Sequence, residues 1–195
     1  MDEKIKLLVD SLGDIRVKQG EKLLYHTYNK IAGSAKAFYI ATSQRELVEI
    51  LEIASQLKIP FLVIGSGTKV IIAESEFKGV VIKNRSGVIK IGGIKGKVGR
   101  GGLGIEEALV EVDSGVTLGK LDEYLTEQGL QSLSSINPKM STLGGALFID
   151  PHLKNITQGV KIWNDGEIFD IEIIDLKSPK QIILSVVLKV KSKEI

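Results

Sequence analysis

The chain has no cysteine. That single absence removes disulfides, thiolate zinc sites, iron–sulfur clusters and cysteine nucleophiles. Histidine is nearly as scarce: His26 and His152 are the only two in 195 residues, a poor supply for a metal centre or a Ser/His/Asp triad. Long apolar runs are missing too. None approaches the roughly 18 residues of a membrane helix, and residues 1–10 lack the apolar core of a signal peptide. The expectation is a cytoplasmic protein that does not engage a membrane. A formal net charge of +2 points to no class of partner. What the chain does have is ordinary globular composition, with 43% hydrophobic and 26% charged residues. Its length suits one generous domain or two small lobes sharing a core. Glycine is in excess: 21 of 195 residues, about 11% against roughly 7% as the usual figure.

Secondary structure is most legible between residues 25 and 64. Phe38-Tyr39-Ile40-Ala41 reads as a short strand, and Ser43 with Glu46 has the spacing of a helix capping box. Leu47, Ile50, Leu51, Ala54 and Leu57 then form one apolar stripe, and Pro60 precedes the strand-like Phe61-Leu62-Val63-Ile64. A strand–helix–strand unit of this kind predicts two parallel strands. Residues 70–73 follow the first glycine loop, and residues 79–83 read as a strand. The stretch 88–104 carries Lys90, Lys95, Lys97 and Arg100 among seven glycines and is expected to be a glycine-bearing hairpin or loop. Residues 108–113 alternate like a half-buried strand. Thr117 opens a helix that Gly129 closes. Residues 132–145 read as a polar loop, residues 160–174 as a hairpin around Asn164-Asp165-Gly166, and residues 181–191 as a final strand. Trp163 is expected to pack in the core, and His152 to sit on an exposed loop. Glu106, Glu107, Asp122 and Glu123 are expected to form a solvated face.

Two glycine loops follow or join these elements. In Gly65-Ser66-Gly67-Thr68, after an apolar strand, backbone N–H groups can converge on phosphate oxygens. The loop lacks the third glycine of a dinucleotide fingerprint, and Gly96-Lys97 lacks the Ser/Thr of a P-loop. In the second loop, Gly144-Gly145-Ala146, small residues would let a planar or phosphate-bearing ligand approach the backbone. A tight turn would account for either pair of glycines alone.

The order of the motifs says more than any one of them. His26-Thr27-Tyr28-Asn29-Lys30-Ile31-Ala32-Gly33-Ser34-Ala35, the 43–47 helix start, Ile59-Pro60, Gly65-Ser66-Gly67-Thr68-Lys69, Phe77-Lys78-Gly79-Val80-Val81-Ile82 and Ser141-Thr142-Leu143-Gly144-Gly145-Ala146 run in one sequence. So arranged, the chain resembles the FAD-binding region of the UDP-N-acetylenolpyruvoylglucosamine reductases (UDP-N-acetylmuramate dehydrogenases) across residues 25–191. These oxidoreductases of peptidoglycan biosynthesis fall in the vanillyl-alcohol oxidase and p-cresol methylhydroxylase group of flavoproteins. The chain departs from the family pattern at Ala32, at Lys69 in place of asparagine, at 136–140 and at Ile149-Asp150-Pro151.

The resemblance implies an α+β protein with the two-lobed p-cresol methylhydroxylase-type FAD-binding fold. Residues 1–24 would be an N-terminal helix and lead-in, 25–86 the first FAD-binding lobe and 87–195 the second. Gly65, Ser66, Gly67, Thr68 and Lys69 would hold the pyrophosphate, and Ser141, Thr142, Gly144 and Gly145 would lie along the flavin. FAD would be bound non-covalently, since there is no cysteine and neither histidine falls in 65–69. No catalytic residue and no metal ligand is assigned. The family's substrate-binding Tyr-Arg-x-Ser motif has no counterpart in 175–181, and its third domain would begin where this chain stops. Alone, the chain is expected not to reduce the family's substrate; a partner chain would supply the substrate domain. The alternative is a degenerate flavin fold kept as a binding or assembly module without cofactor. Nucleic-acid binding through 90–100 is the weakest reading, for that stretch has no aromatic residue on which bases could stack.

Overall fold

The structure is a computed structural model describing residues 3–30, 32–69, 75–99, 102–177 and 180–193. Ile31, Arg100 and residues 70–73 lie outside the described residues. The best-defined sequence unit folds largely as its pattern dictates. Strand β2 spans Ser34–Ala41, helix α2 Gln44–Gln56 and strand β3 Phe61–Ile64. Ser43 caps α2, its Oγ accepting from the Glu46 amide at 3.2 Å. The return arm of the capping box is displaced by one residue. Glu46 Oε2 accepts from the Thr42 amide at 2.7 Å and from its hydroxyl at 2.8 Å, while Oε1 pairs with Arg16 at 2.6 Å. The Thr42 amide, foremost, holds this carboxyl below the usual glutamate range. Leu47, Ile50, Leu51 and Ala54 are buried at the expected steps. Each large apolar side chain so buried contributes roughly 1.5–3 kcal/mol.

Strands β2 and β3 are parallel, but they do not touch. Strand β4, Glu76–Asn84, lies between them and pairs in parallel with both. The fourth strand of this sheet comes from a segment the sequence showed only as lead-in. After helix α1 (Glu3–Leu12), strand β1 (Val17–Lys22) pairs antiparallel with β2 at the sheet edge, giving the order β1-β2-β4-β3. Ile5, Leu8 and Leu12 of α1 pack into the same core as α2.

The second sheet is antiparallel, in the order β5-β6-β9-β7-β8. It comprises β5 (Ile89–Gly99), β6 (Gly102–Asp113), β7 (Thr157–Asn164), β8 (Glu167–Ile171) and β9 (Ile182–Lys191). The described residues of the glycine-rich stretch thus belong largely to β5 and β6, which pair antiparallel. Asp165 and Gly166 turn β7 into β8 with φ of 48° and 94°, the left-handed pair that a two-residue hairpin turn needs. Strand β8 stops at Ile171, short of the expected end, and a 3₁₀ turn follows over Ile173–Asp175. Helix α3, Leu118–Glu127, is capped by Thr117 and released at Gly129, whose φ is +69°. It covers one sheet face with Leu121 and Leu125.

The supposed loop 132–145 is shorter than expected. Leu143–Leu147 is a short helix, α4, and Pro151–Ile156 another, α5, capped by Asp150. Leu143, Ala146, Leu147 and Leu153 drive both into the second core. The two sheets share packing as well: Trp163 of β7 and Leu184 of β9 belong to the core under α1 and α2. Trp163 meets the Phe61 ring edge-on at 5.9 Å. The four acidic residues expected as a solvated face are in part engaged. Glu106 pairs with Lys95, Glu107 with Lys189 and Asp122 with Lys139. Among the described residues, no helix is long and apolar enough to cross a membrane, and no cluster of His, Asp and Glu could hold a metal ion.

Candidate cofactor site

Parallel strands β3 and β4 end side by side, Ile64 opposite Lys83, so the chain leaving each carboxyl end reaches the same edge of the sheet. Open α/β sheets bind ligands at such edges. Here a groove of about 400 Å³ opens toward the second sheet. Gly65 and Ser66 line it from the end of β3, residues 83–87 from the end of β4, and residues 115–117 with Lys120 from the start of α3. Thr142 closes the far wall.

A line of hydrogen bonds holds these segments in place. The Ser86 amide donates to Asn84 Oδ1 at 3.0 Å, Asn84 Nδ2 to Ser114 Oγ at 2.8 Å, and Ser114 Oγ to the Ile183 carbonyl at 2.5 Å. The first sheet is thereby tied to β9 of the second. Ser86 is wholly buried, yet its hydroxyl has no partner. Leaving such a group unpaired costs roughly 1–3 kcal/mol; the Tyr39 hydroxyl and the Trp163 indole nitrogen, which do not line the groove, are buried without a partner in the same way.

The charge of the groove has one sign. Lys83, Arg85 and Lys120 line it, and among the described residues no Asp or Glu does. The Lys83 ammonium donates to the His26 carbonyl at 2.6 Å, and burial, followed by the Arg85 charge, draws its pKa below the usual lysine value. The N-terminus of α3 adds its partial positive charge at Thr117. The donor set fits an anionic, hydroxyl-accepting group such as a nucleotide phosphate.

Of the nine residues singled out in the sequence, Gly65, Ser66 and Thr142 line this groove; Gly67, Thr68, Lys69, Ser141, Gly144 and Gly145 do not. The structure does bring the two loops together. Thr68 Oγ1 lies 3.3 Å from Ser141 Oγ. Lys69 crosses to the other loop, its ammonium bonding Asn137 Oδ1 and lying 3.4 Å from the Gly145 carbonyl. Desolvation lowers the Lys69 pKa, against the opposing pull of Asp150. The loop glycines admit protein rather than ligand. A Cβ at Gly65 would fall 2.1 Å from Thr142 Oγ1, and one at Gly67, where φ is +71°, 2.6 Å from Thr27. Gly144 and Gly145 occupy helix α4, not a loop.

That pair makes a sharp comparison. A Cβ at Gly144 would lie 2.9 Å from the Ser114 side chain and 3.2 Å from its carbonyl oxygen, whereas at Gly145 the nearest atom is 3.5 Å away. Gly144→Ala is expected to destabilise by about 1–2 kcal/mol through overpacking. Gly145→Ala is expected to stabilise by up to about 1 kcal/mol, since alanine loses less backbone freedom in a helix. Thermal unfolding of the two variants checks the opposite signs.

The histidines stand outside the groove lining. His26 Nε2 lies 2.6 Å from Glu21 Oε1, and its ring stacks on Phe38 at 4.1 Å. That hydrogen bond is the main cause holding the Glu21 carboxyl below its usual range. His152 is exposed, as expected, but on α5. The lining residues Lys83 to Gly87, Gly115 to Thr117 and Lys120 were not singled out. Their available signal was Asn84 and Ser86, polar residues ending an apolar strand and followed by Gly87.

Residues 35–150, more than half of the chain, match the family described as FAD binding domain. The chain belongs to that family. The cofactor of an FAD-binding domain is FAD, and the cations and the helix start of the groove fit its phosphates. Curated relatives include UDP-N-acetylenolpyruvoylglucosamine reductase of Syntrophotalea carbinolica, 29% identical over 74% of this chain and 45% of its own length. Reductase 2 of Bacillus cereus is 25% identical over 86% of this chain and 53% of its own. The chain thus spans about half the length of the curated relatives it matches. Among solved structures, the Thermus caldophilus reductase superposes with a TM-score of 0.68 at 18% identity, covering 92% of this chain and 64% of that one. Substrate-bound p-cresol methylhydroxylase gives 0.67 at 16% identity over 99% and 44%. The FAD-binding domain therefore has the two-lobed p-cresol methylhydroxylase-type fold that the motif order implied.

Proposed function

We propose that the chain is the flavin domain of a UDP-N-acetylmuramate dehydrogenase-like reductase. It holds FAD non-covalently and acts on substrate only with a substrate domain supplied by a further segment or a separate chain. The observation that carries the reading is the groove at the carboxyl ends of β3 and β4, lined by Lys83, Arg85 and Lys120 and, among the described residues, by no carboxylate. Lys83, Arg85 and Lys120 balance phosphate charge, and the backbone at Gly65 and Ser66 closes over the ligand. Thr117 and the start of α3 add a favourable dipole. FAD supplies hydride-transfer chemistry when bound; the chain's own residues bind, orient and shield it. Attachment is non-covalent because the chain has no cysteine and neither histidine lines the groove.

The absorption spectrum of the purified protein, followed by FAD titration, tests the proposal. Flavin absorbance or an FAD-dependent rise in Tm is the expected outcome. Arg85→Gln should weaken FAD binding about fivefold, the loss of one exposed charge-assisted contact. The effect should shrink at high salt, where such charges are screened. Protein that stays colourless and melts at the same temperature with and without FAD would sink the reading.

A further inference from the structure

The groove opens between the two glycine loops at Gly65, Ser66 and Thr142. Beyond those residues the loops are cross-tied. Thr68 Oγ1 meets Ser141 Oγ at 3.3 Å, and the Lys69 ammonium bonds Asn137 Oδ1 and approaches the Gly145 carbonyl at 3.4 Å. Both ends of the lysine tie are anchored. Asn29 Nδ2 holds the Thr68 carbonyl at 2.7 Å on one side. On the other, Asn137 donates through Nδ2 to the buried carboxylate of Asp150 at 2.9 Å and through its amide to Ser135 Oγ at 3.1 Å. The tie is therefore not a loose surface lysine finding a convenient oxygen. It joins two positions that the fold already holds.

A ligand seated in the 400 Å³ groove meets none of these contacts. A ligand long enough to continue between 65–69 and 141–145 must displace them. We infer that Lys69 is a selectivity residue of the cofactor site: with its tie intact the site takes a nucleoside diphosphate, and the isoalloxazine end of FAD enters only by displacing the lysine ammonium from Asn137 and Gly145. The inference rests on the reading of the groove as the nucleotide end of an FAD site. Lys69 then acts oppositely to a phosphate ligand, since removing it helps the long cofactor and leaves the short one alone.

Isothermal titration of the whole chain with ADP and with FAD, in wild type and Lys69→Ala, separates these roles. The expected result is an FAD affinity that rises about five- to tenfold in the variant, the worth of one exposed charge-assisted hydrogen bond, while the ADP affinity changes less than about twofold. Lys69 is exposed, so the variant should fold; Lys69→Met, which keeps most of the aliphatic stem, carries the same expectation. An unchanged ratio of FAD to ADP affinity, or weaker binding of both, overturns the inference and leaves the proposed function standing. Failure of wild type to bind either nucleotide removes the proposed function and the inference together.

Discussion

Asp150→Ala is expected to cost about 3 kcal/mol and to lower Tm by about 6–12 °C in a chain of this size. The side chain is fully buried, and both oxygens are saturated by donors. Oδ1 accepts from the amides of His152 at 3.0 Å and Leu153 at 3.2 Å, capping α5. Oδ2 accepts from Ser135 Oγ at 2.6 Å, Asn137 Nδ2 at 2.9 Å and the Ile136 amide at 3.2 Å. Truncation strands five donors in one place. Asp150→Asn should recover little, because its NH₂ group must face donors at one of the two oxygen positions. The pH dependence has a definite sign. Burial pushes the Asp150 pKa up, but the hydrogen bonds of Ser135, Leu153, Asn137 and His152 outweigh it and leave it below the ordinary value. A depressed folded-state pKa gives stability that is complete above the unfolded value, about 4, and is lost as pH falls through the folded value. The Tm gap between wild type and Asp150→Ala should therefore narrow below about pH 4. A gap unchanged between pH 7 and pH 3 would contradict the account.

Gly115→Ala should damage stability and cofactor binding together. Its Cβ would lie 2.7 Å from Asn84 Oδ1 and from both the backbone nitrogen and the carbonyl oxygen of Ser86. None can yield easily. Asn84 is bonded to Ser114, and the residues flanking Gly115 are held by Ser114 N to the Leu184 carbonyl at 2.9 Å and Val116 N to the Asp113 carbonyl at 3.1 Å. The expected loss is about 2–3 kcal/mol of stability from overpacking, with FAD affinity falling by more than about tenfold as Ser86 shifts. Gly159→Ala is the control, since nothing lies within 4 Å of its Cβ position. Calorimetry and FAD titration of the two variants check the claim. Equal behaviour would remove Gly115 from the architecture of the groove.

The parts of the fold legible in sequence are those whose signals are local. Ser43 and the 47–54 stripe define α2, Asp165-Gly166 defines a hairpin turn, and Gly129 marks a helix end. Strand β1 left no such trace: only Val17 of its six residues is buried, as suits a polar edge strand. Helices α4 and α5, of five and six residues, are too short to show a 3.6-residue period. The Asp150-Pro151 pair was a readable start signal for α5, but it stood out only as a departure from the family pattern. At the site, glycine correctly marked where chains run close. What approaches Gly65 is Thr142, and what approaches Gly144 is Ser114. Those neighbours are distant in sequence, so sequence alone could not distinguish a ligand contact from a loop-on-loop contact.

Strand β9 sits in the middle of the second sheet, between β6 and β7, although it follows both in the chain. Until residues 182–191 are available, the β5–β6 and β7–β8 hairpins have no shared strand and remain two separate ribbons. Leu184 on the same strand also completes the core beneath α1 and α2, and the Ile183 carbonyl terminates the bond line from Asn84 through Ser114. On a ribosome, then, neither half of the molecule can finish before this late strand emerges. The many long-range pairings it closes place the chain among slow folders, with the groove assembled last, in the same event that joins the two sheets.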